Sequence, residues 1–311
     1  MSAPLVTVFL FAYNQEKYIE SACLSVLSQT YSPLEIILSD DSSQDSTYAL
    51  MEKVAAAYDG PHIVRLNRNE KNLGLIGHVN LSAKLLMGEL IVAAAGDDIS
   101  LPERVSEIVS SYLMLNKKVS SIHSSTYRMS EDGVILDEFY PPMQGQELRP
   151  DQVVSELAVL IGATHAWVPK VFEVFGDIEC KNAYEDLVIA YRSTLLDGIF
   201  YIDKPLVQYR MGGNGITSGD WSKAGPDARL QRALRVVATC IDVFEQRRRD
   251  SLVVGREDLA KRAFFYIRGQ QVLRMAYTNE VGILRLLWLG FRAACMKRLL
   301  NVLSKRIRGK L

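Results

Sequence analysis

Two pairs of adjacent aspartates are the residues of this sequence whose types and spacing best suit chemistry. Asp97 and Asp98 close one apolar run, and Asp40 and Asp41 close an earlier one. Neighbouring carboxylates repel each other, so each prefers water or a cation. Oxygen ligands of this kind, without histidine or cysteine, suit a hard cation such as Mg²⁺ or Mn²⁺. Taken alone, however, an acidic pair after a strand is more often a simple turn.

The elements that carry these aspartates favour a site over a turn. Short apolar runs alternate with amphipathic segments through residues 5–96, which predicts a mostly parallel sheet with helices on both faces. Ligands of such open sheets bind beyond the carboxyl ends of the strands. Tyr13 and the two acidic pairs each follow a different predicted strand, so we predict that they gather at one edge of the sheet. There Tyr13 could stack on a base, and Asp40 or Asp41 could accept a hydrogen bond from a base N–H.

Several classes of protein are disfavoured by what the sequence lacks. The first predicted strand is followed by Ala12, Tyr13 and Asn14 rather than by GxGxxG, and no Walker A sequence occurs. Neither a Rossmann dinucleotide site nor a P-loop is therefore expected. Lys plus Arg and Asp plus Glu number 36 each among the 311 residues, and this balance argues against nucleic acid as a partner.

The cysteines and the apolar segments indicate a cytoplasmic protein. The four cysteines lie far apart and without metal-binding spacing, as expected of reduced thiols inside a cell. The N-terminus shows no secretory signal. No window reaches the length of about 18 consecutive apolar residues that indicates a transmembrane helix.

The first two thirds of the sequence, over about residues 4–215, resemble family 2 glycosyltransferases. The resemblance is carried by the segments 6–14, 27–31, 35–47 and 72–74, followed by Asp97 and Asp98 at the family's spacing. It implies a GT-A fold, an α/β architecture with a mixed, mostly parallel sheet and flanking helices. It also implies an enzyme that transfers a hexosyl group from a nucleotide-diphospho-sugar to an acceptor hydroxyl, most often with inversion.

The resemblance also implies donor and metal roles by position. Contacts with the nucleotide-sugar are implied for Ala12, Tyr13, Asn14, Asp40, Asp41, Asn72, Asp97 and Arg210. Asp98, together with Asp97, would ligate the divalent metal, Mg²⁺ or Mn²⁺. Relatives often carry a further aspartate where this chain has Ala95, and a histidine shortly after the position of Arg210.

The acceptor side is assigned in the same way. Thr164, His165 and Trp167 lie in a segment that resembles the family's acceptor-binding segment. By residue type alone, Glu185 and Asp186 are expected only to begin a helix, because acidic residues favour a helix N-terminus. The resemblance makes Asp186 the catalytic base, with Glu185 as the neighbour that tunes or orients it.

The sequence predicts two domains. Residues 1–220 would form the catalytic domain, with a nucleotide-sugar half (1–115) and an acceptor and base half (116–220), and residues 221–311 would form a helical extension. We predict helices at about 227–249, 256–278 and 280–307. After Glu280 the charged residues are all basic and alternate with apolar ones. The last helix could therefore lie on an anionic membrane, or pack on the catalytic domain or on a partner subunit.

The leading hypothesis is an inverting glycosyltransferase that uses a UDP-sugar to build surface polysaccharide or lipid-linked oligosaccharide. It would act in the cytoplasm, peripheral to the inner face of the cell membrane, on a glycan or lipid-linked glycan acceptor; a homo-oligomer is open. A sugar nucleotidyltransferase is disfavoured, because its glycine-rich basic loop is missing after the first strand. A catalytically silent nucleotide-sugar-binding module stays open, because of Ala95 and the missing histidine.

Overall fold

The structure is a computed structural model that describes residues 3–144, 148–180, 183–212, 225–293 and 295–307. Two compact units divide the chain. The first unit comprises Met1–Arg149, Ala158–Ile178 and Tyr184–Ser218, and the second comprises Pro150–Leu157, Glu179–Ala183 and Gly219–Leu311. The boundary that we expected at residue 220 lies outside the described residues. Two short segments from the expected catalytic domain, 150–157 and 179–183, belong to the second unit.

The described residues form nine strands and eleven α-helices. The strands are β1 (Val6–Ala12), β2 (Leu34–Asp40), β3 (Ile63–Arg68), β4 (Leu90–Ala95), β5 (Ile99–Ser100), β6 (Ser121–Met129), β7 (Ile135–Phe139), β8 (Ala166–Trp167) and β9 (Ile199–Arg210). The helices are α1 (Ile19–Leu27), α2 (Thr47–Ala56), α3 (Gly74–Leu85), α4 (Arg104–Met114), α5 (Pro150–Val153), α6 (Lys170–Phe175), α7 (Glu185–Leu195), α8 (Pro226–Val253), α9 (Glu257–Thr278), α10 (Ile283–Arg292) and α11 (Met296–Ile307). A single 3₁₀ turn spans Gly162–Thr164.

The strands of the first unit form one mixed sheet in the order β3-β2-β1-β4-β8-β6-β9-β5, with β7 paired to β6. Strands β3, β2, β1 and β4 are parallel, whereas β8 is antiparallel to both of its neighbours. The predicted mixed α/β sheet is therefore confirmed. The strand order reverses beside β1, because β2 and β3 lie on one side of it and β4 lies on the other. Open sheets bind ligands at such a position.

Three of the four parallel strands, β1, β2 and β4, are buried on both faces, whereas β3 is partly exposed. Every residue of β2 is buried, and so are nearly all residues of β1 and β4, as expected when helices cover both sides of a parallel sheet. The carboxylate of Glu35 lies inside this layer. Glu35 accepts hydrogen bonds from the Thr7 hydroxyl at 2.5 Å, from Arg65 Nη1 at 2.6 Å and from the Met87 N–H at 3.0 Å. These bonds join β1, β2, β3 and the connection into β4.

The second unit is helical, and the prediction of one helix over 280–307 is wrong. The chain forms two helices, α10 and α11, instead. The N–H of Cys295 donates to the Gly290 carbonyl at 3.0 Å, so the helical hydrogen-bond pattern changes between them. The break lets apolar residues of both helices, among them Leu286 and Leu299, enter one core with α9, which a single straight helix would not allow. Among the described residues, no helix is both long and apolar enough to cross a bilayer.

We expect Glu35→Ala to lower the free energy of unfolding by about 2–4 kcal/mol, because it leaves a hydroxyl, an N–H and a cation without their shared partner. Urea unfolding at neutral pH measures this loss. Glu89→Ala is the matched control, since it removes an exposed glutamate paired with Lys117 and should change stability by less than about 1 kcal/mol. Equal effects of the two substitutions would contradict a structural role for the buried carboxylate.

Candidate active site

The turn after β4 carries Asp97 and Asp98 at the carboxyl edge of the sheet. The N–H of Gly96 donates to the Phe11 carbonyl at 2.9 Å, which holds the turn against β1. A β-carbon at position 96 would lie 2.3 Å from Gln15 Oε1. The turn therefore approaches the loop before α1 so closely that only glycine fits without displacing that side chain.

Asp98 is buried with half of its carboxylate unsatisfied. Its Oδ1 accepts a hydrogen bond from the N–H of Arg210, at 2.8 Å, as β9 returns to this edge. Its Oδ2 is buried and has no hydrogen-bond partner in the structure. Burial and the neighbouring charge of Asp97 raise the pKa of Asp98 well above its ordinary value, and burial also raises the pKa of Asp97. A buried acceptor without a partner costs free energy, so this oxygen is suited to receive a cation.

The carboxylates at this turn fit a divalent metal ion whose remaining ligands would come from water and a substrate. Among the described residues, no group of three or more His, Cys, Asp or Glu side chains is placed to hold a metal ion. The protein would therefore offer Asp98 and Asp97, which are hard oxygen ligands. Mg²⁺ typically takes one or two carboxylates, water and substrate phosphates, so these residues fit Mg²⁺ or Mn²⁺ that also contacts a diphosphate.

Arg104, which the sequence analysis did not single out, is a buried cation close enough to influence Asp98. Its Nη2 donates to the carbonyls of Ala93, at 2.7 Å, and Ala163, at 2.9 Å, and its Nη1 donates to Ser100 Oγ at 2.9 Å. Burial lowers the pKa of Arg104 to about 10, although the charge of Asp98 opposes this shift. The sequence carries no distinctive signal for this role, because an isolated arginine does not reveal that its side chain is buried.

The aspartates after β2 make hydrogen bonds within the protein. Asp41 accepts from Asn69 Nδ2 at 2.7 Å and from the N–H groups of Leu73, at 2.8 Å, and Gly74, at 2.9 Å. It therefore holds the N-terminal end of α3. Asp40 accepts from the Ser43 N–H at 3.0 Å through Oδ2, while its buried Oδ1 has no hydrogen-bond partner.

Asn72 also acts on this loop, because its Oδ1 accepts the Gly74 N–H at 2.8 Å. The roles that the structure displays for Asp40, Asp41 and Asn72 are thus local and structural. A contact of these residues with a base stays a prediction.

A cavity of about 300 Å³ lies beside Asp97 at this edge. It is lined by Asn14, Gln15, Glu16, Lys17, Tyr18, Asp45, Asp97 and Glu131. Asn14 and Asp97 are thus the two predicted donor-binding residues on its wall. Asn14 adopts a left-handed backbone conformation (φ 51°), and its N–H donates to Ser43 Oγ at 2.9 Å. Ala12 is buried beneath the edge, and the ring of Tyr13 is 45% exposed.

Lys17 is a cation of this cavity that the sequence analysis missed. Its Nζ lies 3.9 Å from Glu131 Oε2 and 5.0 Å from the centre of the Tyr18 ring. The side chain is mostly exposed, so it can turn toward an anion. The signal in the sequence was a lysine in the loop between the first strand and the first helix. Such a loop lies at the edge of the sheet where a substrate would bind.

Arg210 is already bound to the protein backbone. Its Nε donates to the Asp97 carbonyl at 2.8 Å, and its Nη1 donates to the carbonyls of Ser130, at 3.2 Å, and Glu131, at 2.7 Å. Its guanidinium also lies 4.3 Å from the centre of the Tyr18 ring. The residue therefore ties the Asp97 turn to the turn between β6 and β7, and its contact with a nucleotide-sugar stays a prediction.

The acidic pair at the start of α7 lies against the 3₁₀ turn. A β-carbon at Gly162 would lie 3.0 Å from Glu185 Oε1 and 3.5 Å from Asp186 Oδ2. The turn leads into His165, whose carbonyl accepts the N–H of Ala93 on β4 at 3.0 Å. Burial and the charge of Asp186 raise the pKa of Glu185 to about 8. At neutral pH the pair therefore carries fewer than two negative charges.

The predicted acceptor residues do not form an accessible surface. The exposed fractions of Thr164, His165 and Trp167 are 1%, 0% and 0%, so these side chains are covered in this structure, and their contact with an acceptor stays a prediction. The reason for their burial is the position of β8, which pairs with β4 on one side and β6 on the other. Residues in and beside such a central strand are covered. Burial lowers the pKa of His165 well below its ordinary value.

Solved structures identify the class of fold. The chain aligns with the crystal structure of S. aureus TarS 1–349 in complex with UDP-GlcNAc, at a TM-score of 0.58 and 15% identity, covering 98% of this chain and 92% of that one. It also aligns with the mannosyltransferase PcManGT from Pyrobaculum calidifontis in complex with GDP-Man and Mn²⁺, at a TM-score of 0.54 and 15% identity, covering 100% and 89%. The fold is therefore of the GT-A type.

Residues 7–157 match the family model described as Glycosyl transferase family 2. This part of the chain therefore belongs to family 2 of the glycosyltransferases, which confirms the resemblance seen in the sequence.

Curated relatives extend the comparison along the chain. An uncharacterized glycosyltransferase of Haemophilus influenzae is 32% identical over 123 residues, which are 40% of this chain and 37% of that protein. TuaG of Bacillus subtilis, named for teichuronic acid biosynthesis, is 26% identical over 226 residues, covering 71% and 84%. WfaP of Escherichia coli, named as a UDP-Glc:α-D-GlcNAc-diphosphoundecaprenol β-1,3-glucosyltransferase, is 31% identical over 138 residues, covering 44% and 52%. The chain spans 37% of the Haemophilus influenzae protein and about half of WfaP.

The raised pKa of Glu185 predicts a pH dependence of stability. An acid whose pKa is raised by folding stabilises the folded state below its unfolded-state pKa, and this contribution is lost as the pH rises through the folded-state pKa. Relative to Glu185→Gln, the wild-type free energy of unfolding should therefore fall between about pH 4.5 and about pH 8 and level off above. Urea unfolding across this range measures the difference. Glu173→Gln, at an exposed position on α6, is the matched control, and equal curves for both variants would contradict the raised pKa of Glu185.

Proposed function

We propose that this protein is a glycosyltransferase that moves a hexosyl group from a nucleotide-diphospho-sugar to an acceptor hydroxyl with inversion. The observation that carries the proposal is the meeting, at the β1–β4 edge, of the buried unsatisfied oxygen of Asp98 with Asp97 and a cavity of about 300 Å³. Membership of residues 7–157 in glycosyl transferase family 2 supports it. The expected donor is a UDP-sugar, in line with the substrate in the name of WfaP and with the UDP-GlcNAc complex of TarS.

The donor would occupy the cavity and the edge beside it. The exposed ring of Tyr13 offers a stacking surface for the base, and Asn14 and Asp97 offer polar contacts on the wall. Lys17 supplies a cation at the cavity that could bind a diphosphate, because ammonium groups form strong charge-assisted hydrogen bonds with phosphates. Arg210 holds the walls together through its bonds to three backbone carbonyls.

Asp98, with Asp97 beside it, would hold Mg²⁺ or Mn²⁺. When bound, such a cation neutralises negative charge that develops on a departing diphosphate. The Mn²⁺ complex of PcManGT is in line with this use. The unsatisfied Oδ2 of Asp98 is the acceptor that this chain offers for it.

Asp186 would act as the general base. Its carboxylate takes the proton of the acceptor hydroxyl while that oxygen forms a bond to the anomeric carbon, and the bond from that carbon to the diphosphate oxygen breaks on the opposite face. Attack and departure on opposite faces invert the configuration. A Glu185 with a pKa near 8 would remain protonated at neutral pH, so it limits repulsion beside the base. The chain then needs to position the two reactants rather than to form a covalent intermediate.

The acceptor class is a glycan or a lipid-linked glycan of a surface polysaccharide. The names of TuaG and WfaP, which refer to teichuronic acid biosynthesis and to a diphosphoundecaprenol-linked sugar, support this choice. We place the reaction in the cytoplasm, at the inner face of the cell membrane, where a nucleotide-sugar and such a lipid-linked acceptor can meet.

Two substitutions should separate donor binding from transfer. Asp186→Asn should lower transfer by at least about 100-fold, because a general base is lost, while a UDP-sugar with Mn²⁺ still raises the melting temperature. Asp98→Asn should lose both transfer and the part of the thermal shift that depends on Mn²⁺. Release of UDP and the melting temperature, measured over a panel of UDP-sugars, provide the two readouts.

Asp177→Asn serves as the control, because Asp177 forms an exposed ion pair with Lys84 away from these residues, and it should keep full activity. Unchanged transfer by Asp186→Asn would rule out Asp186 as the base. Release of pyrophosphate instead of UDP would indicate a nucleotidyltransferase. Donor binding without any turnover would indicate a silent binding module.

A further inference from the structure

Helix α10 of the second unit presents large apolar side chains to solvent. Leu284, Trp288 and Phe291 are 85%, 56% and 78% exposed. Their spacing of four and three residues places them on one side of the helix, together with the half-buried Leu287. We call these four residues the α10 apolar face. Single exposed apolar residues are ordinary, whereas a continuous face of this kind indicates a binding surface.

The opposite side of α10 already supplies the core. Leu286 is buried in a cluster with residues of α9 and with Leu299 and Val302 of α11. Leu284 and Phe291, the most exposed residues of the α10 apolar face, therefore lie outside this core. A continuous apolar face that is exposed to water is expected to bind a partner molecule or a membrane.

Helix α11 places cations next to α10. A β-carbon at Gly290 would lie 2.5 Å from Leu299 Cδ2, so α11 packs directly on the backbone of α10 at this glycine. The exposed residues of α11 include Lys297, Arg298 and Lys305. Over residues 281–311 the sequence holds eight Lys and Arg and no Asp or Glu. The two helices thus join an apolar face to a basic segment.

The charge distribution discriminates between possible occupants of this surface. A second copy of the chain would bring an equally basic segment against the first, and like charges oppose such an interface. An anionic bilayer offers apolar depth for the leucine, tryptophan and phenylalanine side chains and negative headgroups for the cations. Because none of the described helices can span a bilayer, the helix would lie in the plane of the membrane.

We propose that α10 and α11 bind an anionic phospholipid surface, with the α10 apolar face inserted among the headgroups and the α11 cations paired with lipid phosphates. The four residues span about 10 Å along α10 at 1.5 Å per residue, and helices of this type enter about 5–10 Å deep. This surface lies wholly in the second unit. Membrane binding is therefore measurable apart from sugar transfer.

The test is co-sedimentation of the full chain with vesicles. Vesicles of phosphatidylcholine alone are compared with vesicles that contain about one quarter phosphatidylglycerol. The wild type should bind the anionic vesicles at least about tenfold more tightly, and raising NaCl from about 0.1 M to about 0.5 M should weaken that binding. Equal affinity for neutral vesicles, or no binding to either kind, overturns the proposal.

Paired variants identify the face. Leu284→Glu with Phe291→Glu should reduce binding to anionic vesicles at least about tenfold, because two large apolar side chains no longer enter the bilayer. Leu252→Glu with Phe264→Glu is the matched control, since these exposed residues lie on α8 and α9 of the same unit and should bind as the wild type does. Unchanged melting temperatures show that both variants fold. Wild-type binding by the Leu284/Phe291 variant, or a change of its oligomeric state instead of its lipid binding, assigns the face to another partner and overturns the proposal.

Discussion

Desolvation of the Asp98 carboxylate is the constraint around which the edge of the sheet is arranged. A buried carboxylate is costly unless donors or cations compensate it. The N–H of Arg210 reaches one oxygen, and the charge of buried Arg104 acts on the group without a direct bond. The other oxygen is buried without a hydrogen-bond partner. Strand β9, the start of α4 and the end of β4 must therefore come together at one place, and the mixed order of the sheet achieves this.

The parallel half of the fold and its acidic edge could be predicted from the sequence, because both depend on local patterns. Alternating apolar runs predicted β1, β2 and β4, and the rule that ligands lie at strand ends predicted that Asp97 and Asp98 would face the site. Family resemblance then assigned the edge to a nucleotide-sugar. These predictions required no knowledge of which side chains approach one another across the sheet.

The remaining features depend on long-range packing that a local pattern does not encode. Strand β8 is two residues long, too short for a periodic signal, yet its place between β4 and β6 buries Trp167 and its neighbours. The division of the last helix into α10 and α11 depends on how two apolar stripes reach α9. Likewise, no local pattern shows that the loop before α3 returns to the carboxylate of Asp41.

The bonds of Arg210 have a mechanical consequence. One residue at the end of β9 bonds to Asp98 through its N–H and to the Asp97 backbone and the β6–β7 turn through its guanidinium. Glu131, in that turn, also lines the cavity and lies near Lys17. Arg210 therefore joins the Asp97–Asp98 turn to the β6–β7 turn, which contributes Glu131 to the lining of the cavity. A displacement of one turn would therefore strain the hydrogen bonds that Arg210 makes to the other.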